Sequence, residues 1–133
     1  MAAKKHVSEN PERIRRARIN LKSALDAYRK AKGQGDLPFL TLAKTLEVLT
    51  EYTWKDLKTK VEEQGLFAPS PKEAIRQAAT IGIIDDPESW LRVINARNDS
   101  VHDYFNIPEK DYAALAEKFL ELTQELYEQG RKL

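Results

Sequence analysis

The stretch LPFLTLAKTLEVLTEYTWKDLKTKVEEQ, residues 37–64, decides the fold. Leu42, Leu46, Leu49, Thr53, Leu57 and Val61 recur in it at steps of three and four. That spacing places side chains on one side of an α-helix. Trp54 lies beside the stripe. Pro38 stands in the first turn and Gly65 just past the last, the asymmetry that helix ends favour. Length and stripe together predict a long helix that serves as the spine of a bundle.

The same punctuation continues outward. Pro11, Pro71, Pro87 and Pro108 stand near the start of apolar helical patterns, while Gly33, Gly35, Gly82 and Gly130 fall near their ends. The first helix has Asn10 as its expected N-cap and buries Ile14, Ala17, Leu21, Ala24, Leu25 and Tyr28. Ser70-Pro71-Lys72-Glu73 reads as a capping box, in which Ser70 caps and Glu73 reaches back. It opens a short helix that Gly82 ends. Asp85 or Asp86 should cap a fourth helix running to about residue 102. A last helix, about 108–129, carries Tyr112, Leu115, Phe119, Leu122 and Leu126 at helical spacing. No strand-like alternation of any length occurs. The expected fold is all-α: an antiparallel up-down four-helix bundle with one additional short helix, in a single domain over residues 1–133.

Composition narrows the function classes. The 133 residues are 41% hydrophobic and 32% charged, which suits a soluble globular chain rather than a disordered one. Cysteine is absent, which excludes disulfides and thiolate metal sites. Two histidines far apart in sequence argue against a zinc or iron centre, so no cofactor and no metal are expected. No apolar run approaches membrane length and no leader-like apolar region follows the first residues, so a cytoplasmic location is expected. No phosphate-binding glycine loop or nucleophile elbow is present.

The net charge of +1 is unevenly spread. Residues 1–32 hold ten basic and three acidic side chains, and the remainder is acidic. A basic helix on an acidic body could touch RNA phosphates, or pair with acids of its own chain or of a partner.

Residues 95–104, Asn-Ala-Arg-Asn-Asp-Ser-Val-His-Asp-Tyr, break the apolar pattern of the fourth helix. Trp90, Leu91 and Ile94 should bury one side of that helix, and the expected stripe runs on from Leu91 and Ile94 through Asn98, Val101 and Phe105. Polar side chains that enter a core stripe must be hydrogen-bonded or functional, because an unpaired buried polar group costs about 1–3 kcal/mol. Arg97 suits a phosphate and His102 can carry a proton near neutral pH. Together, without a metal, they suit RNA cleavage by the 2′-hydroxyl, with Arg97 stabilising the phosphorane. Five residues along a helix diverge by about 140°. The pair therefore meets only if the helix breaks near His102 or if two copies of the chain contribute. The plainer alternative is an Arg at a helix C-terminus and a packing His. Asn98 would bridge backbone or phosphate, or satisfy a buried neighbour.

The segment Arg97-Asn98-Asp99-Ser100-Val101-His102-Asp103-Tyr104 resembles the R-x4-H-x-Y motif of HEPN domains. Four further blocks are similar to the nucleotidyltransferase substrate-binding protein family, over about residues 50–105. They are Thr53-Trp54-Lys55-Asp56-Leu57-Lys58, Glu62-Glu63-Gln64-Gly65, Ser70 through Arg76, and Gly82-Ile83-Ile84-Asp85. Leu46-Glu47-Val48-Leu49 departs from the Arg-Phe-Glu-like segment common there. The resemblance implies a helical homodimer paired with a cognate minimal nucleotidyltransferase. In one branch such a protein is a metal-independent endoribonuclease toxin acting through Arg97 and His102. Its partner is then the antitoxin, which attaches AMP to Tyr104. In the other branch the protein is non-catalytic and binds a nucleotide or other substrate for the nucleotidyltransferase. RNA or nucleotide is the implied ligand.

Overall fold

The computed structural model describes residues 11–31, 33–102 and 108–131, with the side chains of 99–102 and 129–131 outside the description. The chain is all-α, as its periodicity predicts. The helices are α1 (Pro11–Lys30), α2 (Leu37–Glu63), α3 (Pro71–Thr80), α4 (Pro87–His102) and α5 (Glu109–Arg131). No strand occurs among the described residues.

Helix α2 is the spine. Its predicted stripe is buried from Leu42 to Val61, and Phe39, Ala43 and Thr50 are buried with it. All four other helices pack on it. The threonines in this apolar setting are satisfied locally. Thr50 and Thr53 each donate from Oγ1 to the carbonyl four residues back, at 2.7 Å. Gly65 ends the helix with φ of 86°, a conformation disfavoured for any residue with a Cβ. The turn lets the Leu66 amide return to the Val61 carbonyl at 3.1 Å, so a terminal acceptor is not left open.

Side-chain contacts fix the directions of neighbouring helices. The Tyr28 and Phe39 rings meet at 6.3 Å near the α1–α2 loop, and the Arg13 guanidinium lies 5.3 Å from the Tyr52 ring centre farther along. Helices α1 and α2 are thus antiparallel. Tyr28 donates to Glu109 at one end of α5, and Arg18 donates to Thr123 at the other, so α1 is antiparallel to α5 as well. Helices α2 and α5 then run parallel, joined by the edge-to-face pair Phe39–Tyr112 and by the Tyr127 hydroxyl donating to Asp56 at 2.8 Å. Trp90 of α4 meets Phe119 of α5 edge-to-face at 5.3 Å.

Three local expectations resolve here. Asp86, not Asp85, caps α4: its Oδ1 accepts from the Ser89 amide at 3.3 Å. Hydrogen bonds from Ser89 hold the Asp86 carboxyl below its usual range. Ser70 caps α3 by accepting from the Glu73 amide at 3.2 Å. The Glu73 carboxylate, however, turns forward to Arg76 at 3.1 Å, so the reciprocal half of the capping box is replaced by an i,i+3 ion pair. Asn10 lies outside the described residues.

The basic face of α1 is partly internal. Arg18 donates to the Thr123 hydroxyl at 2.9 Å and to the Leu120 carbonyl at 3.0 Å, and Arg29 pairs with Glu117 at 3.0 Å. These contacts clamp α1 to α5.

Two measurements test this packing. Leu46 is fully buried on the spine, so Leu46→Ala should lower unfolding free energy by about 2–5 kcal/mol in urea titrations. Burial, then the neighbouring Asp56 carboxylate, pushes the Tyr127 hydroxyl well above its usual range. The folded state therefore keeps a proton that the unfolded chain loses above about pH 10, and stability falls as pH rises through that window. Tyr127→Phe should flatten this alkaline decline in melts taken from pH 9 upward.

Candidate functional site

The sequence expects Trp90, Leu91 and Ile94 to bury one side of the fourth helix, with the stripe continuing into Asn98. The structure keeps Trp90 and Ile94 in the core and shifts the rest. Trp90, Val93, Ile94 and Ala96 are buried, while Leu91 and Asn98 are only half-buried. The physical reason is that α4 packs against α2, α3 and α5, so its apolar arc is broader than one stripe and centres on Trp90, Val93 and Ile94. Arg97 lies three and four residues beyond Ile94 and Val93, hence on the same side one turn later. It therefore faces α2.

There Arg97 meets an acid that the sequence reading did not select as its partner. Its Nη2 donates to Glu51 Oε1 at 3.0 Å and to Oε2 at 3.2 Å. The Trp54 indole Nε1 donates to the same Oε2 at 2.8 Å. Nη1 of Arg97 donates to the Asn98 side-chain oxygen at 3.1 Å. Asn98 thus satisfies its neighbour, one of the roles expected of it. The side chains of Arg97 and Glu51 are 21% and 30% exposed. At that depth, water screens the pair less than it screens the rim ion pairs such as Arg15–Glu12.

The local sequence explains the assembly. Glu51 and Trp54 are three apart on α2, so they share a side of the helix beside the buried stripe. Trp54 rests half-buried against the core and turns its one polar atom to Glu51. The acid is therefore oriented within α2 as well as by Arg97 across the seam. A signal was available: Glu51-x-x-Trp54 places an acceptor where a Trp N–H can reach it, next to a stripe of leucines. The sequence alone could not pair that acid with residue 97, which lies 46 positions away.

Chemically, the cluster holds a guanidinium at a fixed place with a carboxylate on one edge. An incoming phosphate or carboxylate would compete with Glu51 for Arg97. The backbone of α4 stays helical through His102, so no break separates Arg97 from His102, and their Cα directions differ by about 140°. The His102 side chain, and Tyr104 altogether, lie outside the described residues. Among the described residues, no group of three or more His, Cys, Asp or Glu side chains could hold a metal ion. No helix among them is long and apolar enough to cross a membrane.

These features define an all-helical fold with a polar cluster, among the described residues, at the seam of its spine and fourth helix. A family model described as nucleotidyltransferase substrate binding protein like matches residues 9–132. The chain belongs to that family. The match extends well beyond residues 50–105, taking in α1 and α5. No curated protein matches the chain.

The Glu51–Arg97 pair makes a direct test. Glu51→Ala and Arg97→Ala should each lower stability by about 1–3 kcal/mol, since each strands a half-buried partner. The double variant should lose less than the sum, with a coupling of about 0.5–3 kcal/mol in a urea-denaturation cycle.

Proposed function

We propose that this chain is the substrate-binding partner of a nucleotidyltransferase, and that Arg97 receives an anionic group of the substrate. The observation that carries the proposal is the position of Arg97. It is a half-buried guanidinium, fixed by Glu51 at the α2–α4 seam, in a chain whose family is named for substrate binding. A binding role needs Arg97 alone. It needs neither a proton carrier on the same helix face nor a break in α4.

The experiment is calorimetric titration of ATP and of inorganic phosphate into the purified chain, alone and with a cognate minimal nucleotidyltransferase. Binding should weaken about tenfold or more in Arg97→Ala, the loss expected when a charge-assisted hydrogen bond is removed. Wild-type affinity in that variant would exclude Arg97 as the anion site.

A second reading rests on a different observation, the intact Arg97/His102 spacing of the R-x4-H motif. In it the chain is a HEPN endoribonuclease toxin, and the 140° divergence requires two copies to contribute Arg97 and His102 to one composite site. The nucleotidyltransferase then acts as antitoxin by adding AMP to Tyr104. This reading expects RNA cleavage in EDTA that His102→Ala abolishes. It also expects added AMP in the intact mass after co-expression with the nucleotidyltransferase, lost in Tyr104→Phe. Cleavage that persists in His102→Ala would rule it out.

A further inference from the structure

A groove of about 550 Å³ lies between the N-terminal half of α1 and the middle of α2, lined among others by Arg13, Arg16, Ala17, Asn20, Val48 and Tyr52. It is separate from the Arg97 cluster, whose residues do not line it. Ala17 is buried and Val48 half-buried, which gives an apolar floor, while Arg13, Arg16 and Asn20 are exposed along the rim. Arg13 and Arg16 are one turn apart on α1 and so face the same way. The acid in the lining, Glu12, is already held by Arg15 through contacts of 2.7 and 3.1 Å. The local charge is therefore positive and the groove is open to an anion.

The aromatic ring narrows the ligand class. The exposed Arg13 side chain reaches the face of Tyr52, with its guanidinium carbon 5.3 Å from the ring centre. A ring face that an exposed side chain can cover from the groove is one that a flat base can also reach, with the guanidinium moving to a phosphate. Guanidinium groups beside an aromatic platform are the recognition chemistry of unpaired nucleotides. An acidic protein surface would use the charges but has no need of the ring. We propose that this groove binds a single-stranded nucleic acid, phosphates on Arg13 and Arg16 and a base on Tyr52. The proposal is independent of the role given to Arg97.

The test is fluorescence anisotropy of the full chain with labelled oligouridine and oligothymidine of about 12 nucleotides, a length suited to such grooves. One or both should bind. The double variant Arg13→Ala/Arg16→Ala should bind at least tenfold more weakly, and its log–log salt slope should be shallower by about 1.4, since each lost phosphate contact removes about 0.7. Tyr52→Leu should weaken binding at least fivefold. Arg16→Glu, at an exposed position, serves as a second variant should Tyr52→Leu fail to fold by circular dichroism. The control Lys72→Ala/Lys110→Ala removes equal charge from α3 and α5 and should bind within twofold of wild type. Absence of binding to both oligonucleotides, wild-type affinity in the double arginine variant, or equal competition by polyglutamate would each overturn the proposal.

Discussion

Everything in this fold depends on the burial of one long helix. Helix α2 has buried residues at Phe39, Leu42, Ala43, Leu46, Leu49, Thr50, Thr53, Leu57 and Val61. Those positions cover more than a single stripe, so no single partner helix could bury them. Burying an aliphatic side chain of this size contributes about 1.5–3 kcal/mol, and that gain is realised only when α1, α3, α4 and α5 all lie against the spine. The short α3 belongs to the same requirement. It packs on α2 and buries Ala74, Ile75 and Ala78.

With apolar packing in control of the centre, polar groups are displaced to the seams between helices, and there they give direction. Arg18 with Thr123, Tyr127 with Asp56, and Arg97 with Glu51 each join two different helices. Apolar contact is non-directional. A hydrogen bond across a seam requires a particular rotation and sliding position of each helix. The Arg97 contact fixes the α2–α4 seam in this way. An anion that takes Nη2 of the guanidinium would compete with Glu51 for it. The α1–α2 groove differs in kind. Its arginines stand on the rim, and a base on Tyr52 would displace the Arg13 guanidinium from that ring.

The elements themselves were legible in the sequence. Pro11, Pro38, Pro71 and Pro87 mark helix starts, and Gly65 and Gly82 mark ends where positive φ is required. The stripes of α1, α2 and α5 follow from their spacing, except that Tyr28 and Leu115 are only half-buried. Two readings shifted. The buried side of α4 kept Trp90 and Ile94 but took in Val93 and Ala96 in place of Leu91 and Asn98, because a helix packed against α2, α3 and α5 buries a wide arc that one-stripe spacing understates. Glu73 exchanged its expected backbone partner for Arg76, a competition between two local contacts of similar strength that spacing cannot decide.

The sequence by itself determined that the chain is all-α, where its helices start and stop, and that polar residues, Asn98 among them, intrude on the apolar pattern of α4. These are properties of neighbours within four residues, set by helical periodicity and end chemistry. Only the tertiary structure decided that Glu51 and Trp54 hold Arg97, that Arg18 spans to α5, and that Arg13 covers Tyr52. Each of these contacts joins residues at least 39 positions apart, apart from the Glu51–Trp54 bond within α2. Such partners are chosen by the rotation of each helix about its axis, which the packing of the whole bundle sets and no local spacing records.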